Sequence, residues 1–337
     1  MTGARLGLFT RLLEPVSAAE RYRFALEQIS AAETHGFASA WVAQHHFGEH
    51  EGGLPSPFVL LAAAARDTSR IALGTAVVTL PIDDPVRVAE DAAVLDAISD
   101  GRVQLGIASG GTPSSFAPFG HDFEQRRAIF EEHFTVLLEA LGGAGIRGTS
   151  ARMYPTGGDL GQRIWQGTFS AEGAARAGAR GDGLMLSRTQ PRPEAQRDAP
   201  LHALQLPIVE AHRAALPEGR PERVLASRTI LVVDADQRDH ALQLADAGLR
   251  RLAAQMHGAD ADSLSIEDLV RITDTHVGTP DEVVASLRAD ETLAHATDIT
   301  AQVHSIAATH ELTLRSIELL ATEVAPRLGW QVETHEE

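Results

Sequence analysis

The sequence predicts an α/β fold, a (β/α)8 barrel (TIM barrel) with loop insertions, on three observations. Eight short apolar segments alternate with stretches of helical periodicity, and those segments are too apolar to tolerate water on either face, which indicates a parallel sheet covered by helices. No Gly-x-Gly-x-x-Gly follows the first of them, as a doubly wound dinucleotide-binding sheet would have. A length of 337 residues suits one such barrel, expected as a single domain over 1–330 with a tail at 331–337.

Residues 5–11 read as the first strand, and Ser17 to Glu20 supply a capping box for a helix ended by Gly36. Strand 38–43 precedes a polar turn, and Ser56-Pro57 opens the next helix as N-cap and N1 proline. Strand 71–80, helix 85–98, strand 103–108 and helix 124–141 follow. Strand 163–166 leads into a small-residue helix, then strand 183–187, a loop at 188–198 and a helical stretch over 201–216. Strand 228–233 and a long helix to 256 come next, with residues 257–277 read as an aperiodic insertion. Thr279-Pro280-Asp281-Glu282 starts a helix, 298–303 is the eighth strand, and Thr309 caps the last helix.

The absence of cysteine excludes disulfides, thiolate metal sites and cysteine nucleophiles. With no apolar leader and no run of 18 apolar residues, a cytoplasmic location is expected. The formal charge of −17 sets the mean field against nucleic acid and anionic membranes, so no nucleic acid and no membrane are expected as partners, and a small molecule is.

In a barrel of this kind the reactive groups lie at the C-terminal ends of the strands. That filter selects Gln44, His45 and His46, then Thr79, the Ser109-Gly110-Gly111 turn, Gly167 to Ser170, Ser187, Arg188 and His304. His45 and His46 are adjacent on an extended backbone, so their side chains point to opposite sides and one at most acts on a given atom. Gly167-Thr168-Phe169-Ser170 offers backbone N–H groups, hydroxyls and a helix N-terminus, which suits a phosphate, although Ser170 as a plain cap fits equally. Arg188 is positioned to add a charge-assisted contact to that phosphate, or else to face solvent. No His-x-His or His-Glu-x-x-His pattern exists, and no metal is expected.

Taken together, several ordered stretches resemble the bacterial luciferase family. These are Gly36-Phe37 through Trp41 to Gln44-His45-His46-Phe47, then Leu73-Gly74-Thr75-Ala76-Val77 through Pro81, Asp84-Pro85-Val86-Arg87 through Asp91, Asp100-Gly101-Arg102, and Val277-Gly278-Thr279-Pro280. The resemblance implies FMN as cofactor, in reduced form as co-substrate, with Gln44, Ala76, Val77, Ser109, Gly110, Gln166, Gly167, Thr168, Ser170 and Arg188 around it. It implies His45 as the catalytic histidine and a cis peptide at Ala76-Val77. It also implies a monooxygenase that takes reduced FMN from a flavin reductase, uses O2 on a small organic substrate, and forms a homodimer through the helices near 56–66 and 86–98.

Departures from the family pattern are Gln44 and Gln166 where luciferases carry Glu, and Ala108-Ser109 where they carry Cys-Arg. These argue against light emission from a long-chain aldehyde. The alternatives are an F420-dependent hydride transfer, for which only Arg188 and Arg192 offer rim cations, and a non-catalytic flavin-binding protein on the same barrel. The loops at 110–122, 188–200 and 257–277 are candidate lids.

Overall fold

The computed structural model describes residues 3–48, 52–257, 261–302 and 308–333. Ten strands run parallel: β1 Arg5–Thr10, β2 Ser39–Val42, β3 Ala72–Thr75, β4 Val78–Thr79, β5 Val103–Ala108, β6 Ile164–Gly167, β7 Gly183–Leu186, β8 Val224–Val232, β9 Thr275–Gly278 and β10 Asp298–Gln302. Their order is β10-β1-β2-β3-β5-β6-β7-β8, and the β8–β10 pairing, with Leu225 opposite Asp298 and Thr229 opposite Gln302, closes the ring. Eight staves thus form the (β/α)8 barrel, which leaves no exposed sheet edge in the ring.

The helices alternate with these strands: α1 Ala18–Thr34, α2 Pro57–Asp67, α3 Pro85–Ile98, α4 Arg126–Leu141, α5 Ala171–Arg180, α6 Leu201–Ala215, α7 Arg238–His257, α8 Ile266–Ile272, α9 Pro280–Arg288, α10 His310–Leu319 and α11 Ala325–Leu328. Their starts follow the local chemistry. Ser17 and Glu20 form the reciprocal capping box of α1, and Thr279 and Glu282 form that of α9 behind Pro280. Asp84 accepts from the N–H groups of Val86 and Arg87 at the start of α3. Ser56 stands at the N-cap of α2, but its hydroxyl makes no capping bond.

Three departures from the sequence expectation have physical causes. The strand expected over 71–80 is broken into β3 and β4 by a cis peptide between Ala76 and Val77, which interrupts the ladder along β5. The stretch read as an aperiodic insertion holds α8 and β9; four residues are too few to show an alternation, and β9 gains its hydrogen bonds from the end of β8 that projects past β10. The stretch expected as a tail is tied to the barrel over its described residues 331–333, where Gln331 bridges Arg5 and Glu333 donates to the Gly36 carbonyl. His304 and Val303 lie outside the described residues.

Alternation along each strand divides the interior in two. Leu6, Leu8, Leu73, Leu105, Ile107, Ile299 and Ala301 face the helices in the main core. Trp41, Trp165, Met185 and Leu225 fill the barrel lumen, with Phe9, Ala76 and Val77 packed on them. The two indoles meet edge to face at 5.6 Å between centroids, and each buried ring N–H is satisfied, Trp41 by Ser39 Oγ at 2.8 Å and Trp165 by Gln104 Oε1 at 2.9 Å. Glycines in the neighbouring strands make the room: a Cβ on Gly74 would stand 2.1 Å from the Trp41 ring, and one on Gly183 would stand 2.2 Å from that of Trp165. This aromatic plug is the floor beneath the C-terminal mouth.

Candidate active site

His45 sits three residues past the end of β2, its N–H donating to the Leu54 carbonyl at 2.9 Å. Its ring packs on Gly52, where a Cβ would come within 2.6 Å of Cδ2, at a φ of +151°. Burial, and after it the positive charges of Arg11, His46 and Arg188, hold this imidazole down at a pKa of about 3. It is therefore neutral near pH 7, a form that both accepts and donates a hydrogen bond. His46 turns the other way, against Phe47 and Phe119, as the alternation of an extended backbone requires.

Gln44 is buried, and both ends of its amide are engaged. Its Nε2 donates to Asp83 Oδ2 at 2.7 Å, and its Oε1 accepts from the Thr79 N–H at 2.7 Å. In this arrangement Gln44 ties the end of β2 to the segment just beyond Ala76-Val77. A carboxylate here would face Asp83 directly, so the amide suits this neighbour better. Burial already pushes the Asp83 carboxyl up.

Ala76, Val77, Ala108 and Gly167 come together on the adjoining wall. A Cβ on Gly167 would lie 3.3 Å from Val77 Cγ1 and 3.4 Å from Ala108 Cβ, so the three strand ends form a smooth, shallow, side-chain-poor surface above the Trp41–Trp165 floor. Gly110 extends it at a φ of +82°, with no room for a Cβ against Thr79 and Phe116; Ser109, half-buried, joins it to β5. A flat ring system fits a wall of this kind.

The turn after β6 is less open. Ser170 Oγ accepts from the Gly173 N–H at 3.1 Å as the N-cap of α5, and Thr168 Oγ1 accepts from the Ser170 N–H at 3.3 Å. Both hydroxyls already serve the helix start, so the dipole and the first-turn N–H groups are what that end offers a phosphate. Gln166 points away from the lumen, since Trp165 beside it points in; its Nε2 donates to Asp182 Oδ2 at 2.8 Å.

Arg188 does not extend toward the Thr168–Ser170 turn. Its guanidinium is buried, Nε donating to Gln302 Oε1 at 2.6 Å, and burial with Arg11 beside it lowers the group to about 9. Arg192 is withdrawn from the rim as well, paired with Asp274 at 2.6 Å. Together with Gln190, whose Nε2 donates to the Phe169 carbonyl at 3.0 Å, these residues fasten the 188–192 stretch to β10, the β6 turn and the start of β9.

The strand-end filter did not single out Arg11, Asp83 or Gln302. A strand closing on Thr10-Arg11 was the available signal for the first. Gln302 was masked by His304 two positions on, because the end of an apolar strand is uncertain by about that much in sequence.

Comparison with known proteins follows this geometry. A family model described as luciferase-like monooxygenase matches residues 5–297. The alkanal monooxygenase alpha chain of the Kryptophanaron alfredi symbiont is 36% identical over 106 residues, 32% of this chain and 29% of that one. This chain spans between 29% and 41% of the length of the first curated relatives it matches. Among solved structures, monooxygenase RslO1 from Streptomyces bottropensis superposes with a TM-score of 0.76 at 26% identity, covering 96% of this chain and 99% of that one. The oxygenating constituent of 3,6-diketocamphane monooxygenase from Pseudomonas putida, a type II Baeyer-Villiger enzyme in complex with FMN, superposes with a TM-score of 0.75 at 19% identity, covering 98% and 100%.

Proposed function

This chain belongs to the luciferase-like monooxygenase family, and from that premise we propose that it oxygenates a small organic substrate with O2 and reduced FMN at the C-terminal mouth of its barrel. The observation that carries the reading is the smooth wall made by Ala76-Val77, Ala108 and Gly167, with a neutral, half-buried imidazole just past the end of β2. Bound there, reduced FMN would supply the two electrons needed for one oxygen atom of O2 to enter the substrate and the other to leave as water.

The residues divide that work. Ala76, Val77, Ala108, Ser109, Gly110 and Gly167 accept the ring, and Gln44 holds that wall in place through Thr79. The start of α5 faces the phosphate. His45 holds or passes a proton at the reacting edge as neutral imidazole, and Phe47 and Phe119 help exclude water from the mouth. A flavin reductase delivers the reduced cofactor.

Titration of the purified chain with FMN, followed by flavin fluorescence, tests the reading. Wild type is expected to bind, and Gly167→Val, which fills the wall beside Val77 and Ala108, is expected to weaken FMN by roughly a hundredfold or more through overpacking. Equal affinity in the two proteins, or none in wild type, would defeat it. Parallel titration with F420 addresses the hydride-transfer alternative; with Arg188 buried on Gln302 and Arg192 engaged by Asp274, the rim has lost both cations nominated for the F420 tail. Oxygen consumption with NADH and an added reductase, with and without substrates, separates an enzyme from a flavin store.

A homodimer is part of the same proposal. Val59 on α2 and Val94 and Ile98 on α3 leave 73%, 46% and 49% of their surface exposed, on the helices expected to form the interface. Val59→Asp is expected to shift the sedimentation coefficient from dimer to monomer; an unchanged dimer would place the interface elsewhere.

A further inference from the structure

We propose that Arg188 and Gln302 form a carboxylate-binding subsite inside the mouth, so that the substrate oxygenated beside His45 is an organic acid. The inference rests on the mouth being the reaction site, and it adds the substrate class.

Four observations lead to it. Arg188 is 7% exposed, and among the described residues its one hydrogen bond is Nε to Gln302 Oε1, with no carboxylate paired to it. A buried cation is costly unless an anion meets it, and here the charged side chain that acts on it is another guanidinium, that of Arg11. Gln302 is fully buried, and its Nε2 has no acceptor among the described residues, so its donor stands beside the guanidinium with nothing to donate to. Below it, Thr300 and Ser227 are opposite one another in the β10–β8 register, and each carries a buried hydroxyl without a partner among the described residues.

Unmet donors thus collect on the β8–β10 side of the lumen, while the smooth wall belongs to β3, β4, β5 and β6. In the closed ring β10, which carries Gln302, lies three strands from β6, so the Arg188 head bonded to Gln302 is turned away from the Gly167–Ser170 turn. The guanidinium is therefore directed to the β10 side of the mouth, and its charge acts on the His45 imidazole. Its fork, held by Gln302 at Nε, leaves the terminal N–H groups for a bidentate carboxylate, and Gln302 Nε2 adds a further donor.

The test uses the full chain without flavin, titrated calorimetrically with benzoate and hexanoate and with the neutral isosteres benzamide and hexanamide at equal ionic strength. Wild type is expected to bind the acids at least tenfold more tightly than the amides. Arg188→Met is expected to bring acid and amide within about twofold, to change FMN affinity less than threefold, and to melt no lower than wild type because an unpaired buried charge is gone. Gln302→Leu is expected to weaken the acids three- to tenfold and leaves the question answerable if Arg188→Met does not fold. Acids that bind no better than amides, or a preference that survives in both variants, would overturn the proposal. A tenfold loss of FMN affinity in Arg188→Met would overturn it too, by assigning the guanidinium to the flavin. Failure of wild type to bind FMN, with the acid preference intact, would count against the flavin reading and not against the subsite.

Discussion

His45→Ala, folded and still binding FMN, is expected to oxygenate its substrate between roughly 10² and 10⁴ times more slowly than wild type, the range that a positioned proton-transfer group contributes. The measurement is product formed in a single turnover with preformed reduced FMN, which removes the reductase from the rate. Wild-type product yield from the alanine variant would end the catalytic assignment. Because burial and the charges of Arg11, His46 and Arg188 keep the imidazole neutral down to about pH 3, this group adds no inflection to kcat/KM between pH 5 and 8.

The same depressed pKa has a stability consequence. Between about pH 6.5 and pH 3 the unfolded chain protonates this histidine and the folded one does not, so stability falls as the pH drops through that window. His276, wholly enclosed with its Nδ1 on Ser286 Oγ at 2.7 Å and held down at about 4 by burial, adds to the same loss. His45→Ala should accordingly lose less stability on acidification than wild type does.

The second large effect lies outside the mouth. Arg228 is fully buried on the outward face of β8, its Nε on Asp290 at 2.5 Å and its Nη2 on Gln205 Oε1 at 2.8 Å. Asp290→Asn leaves that guanidinium without a counterion, and a destabilisation of about 3–5 kcal/mol is expected, read as a fall in Tm of roughly 4–7 °C. The double variant Arg228→Met with Asp290→Leu should recover most of it, since a well-packed apolar pair removes the desolvation cost together with the attraction. A single variant that melts with wild type would show that the pair is solvated rather than enclosed.

Arg228 and Arg188 mark the boundary between what a sequence can and cannot show. Each looks like an ordinary charged residue in or just past an apolar strand, and neither neighbour along the chain reveals a partner. Their partners are 62 and 114 positions away, brought close by barrel closure alone. The same holds for Gln166, which was expected among the cofactor contacts: the residue is at a strand end, yet the inward turn of Trp165 sends it outward to Asp182. The Thr168 and Ser170 hydroxyls were open to two readings, and in the fold they cap α5.

By itself, the sequence determined the eight barrel strands, the main helices between them and their order, though not α8 and β9: alternating apolar segments, caps such as Ser17–Glu20 and Thr279–Glu282, and the His45-bearing turn after β2 are all local, governed by residues within a turn or two of each other. The tertiary structure alone decided which strand ends share a wall, that Arg188 reaches Gln302 rather than the α5 turn, and that β9 attaches to the overhang of β8. The reason is that these depend on ring closure and on the inward or outward phase of each strand, and a shift of one residue in that phase reverses every side chain along it.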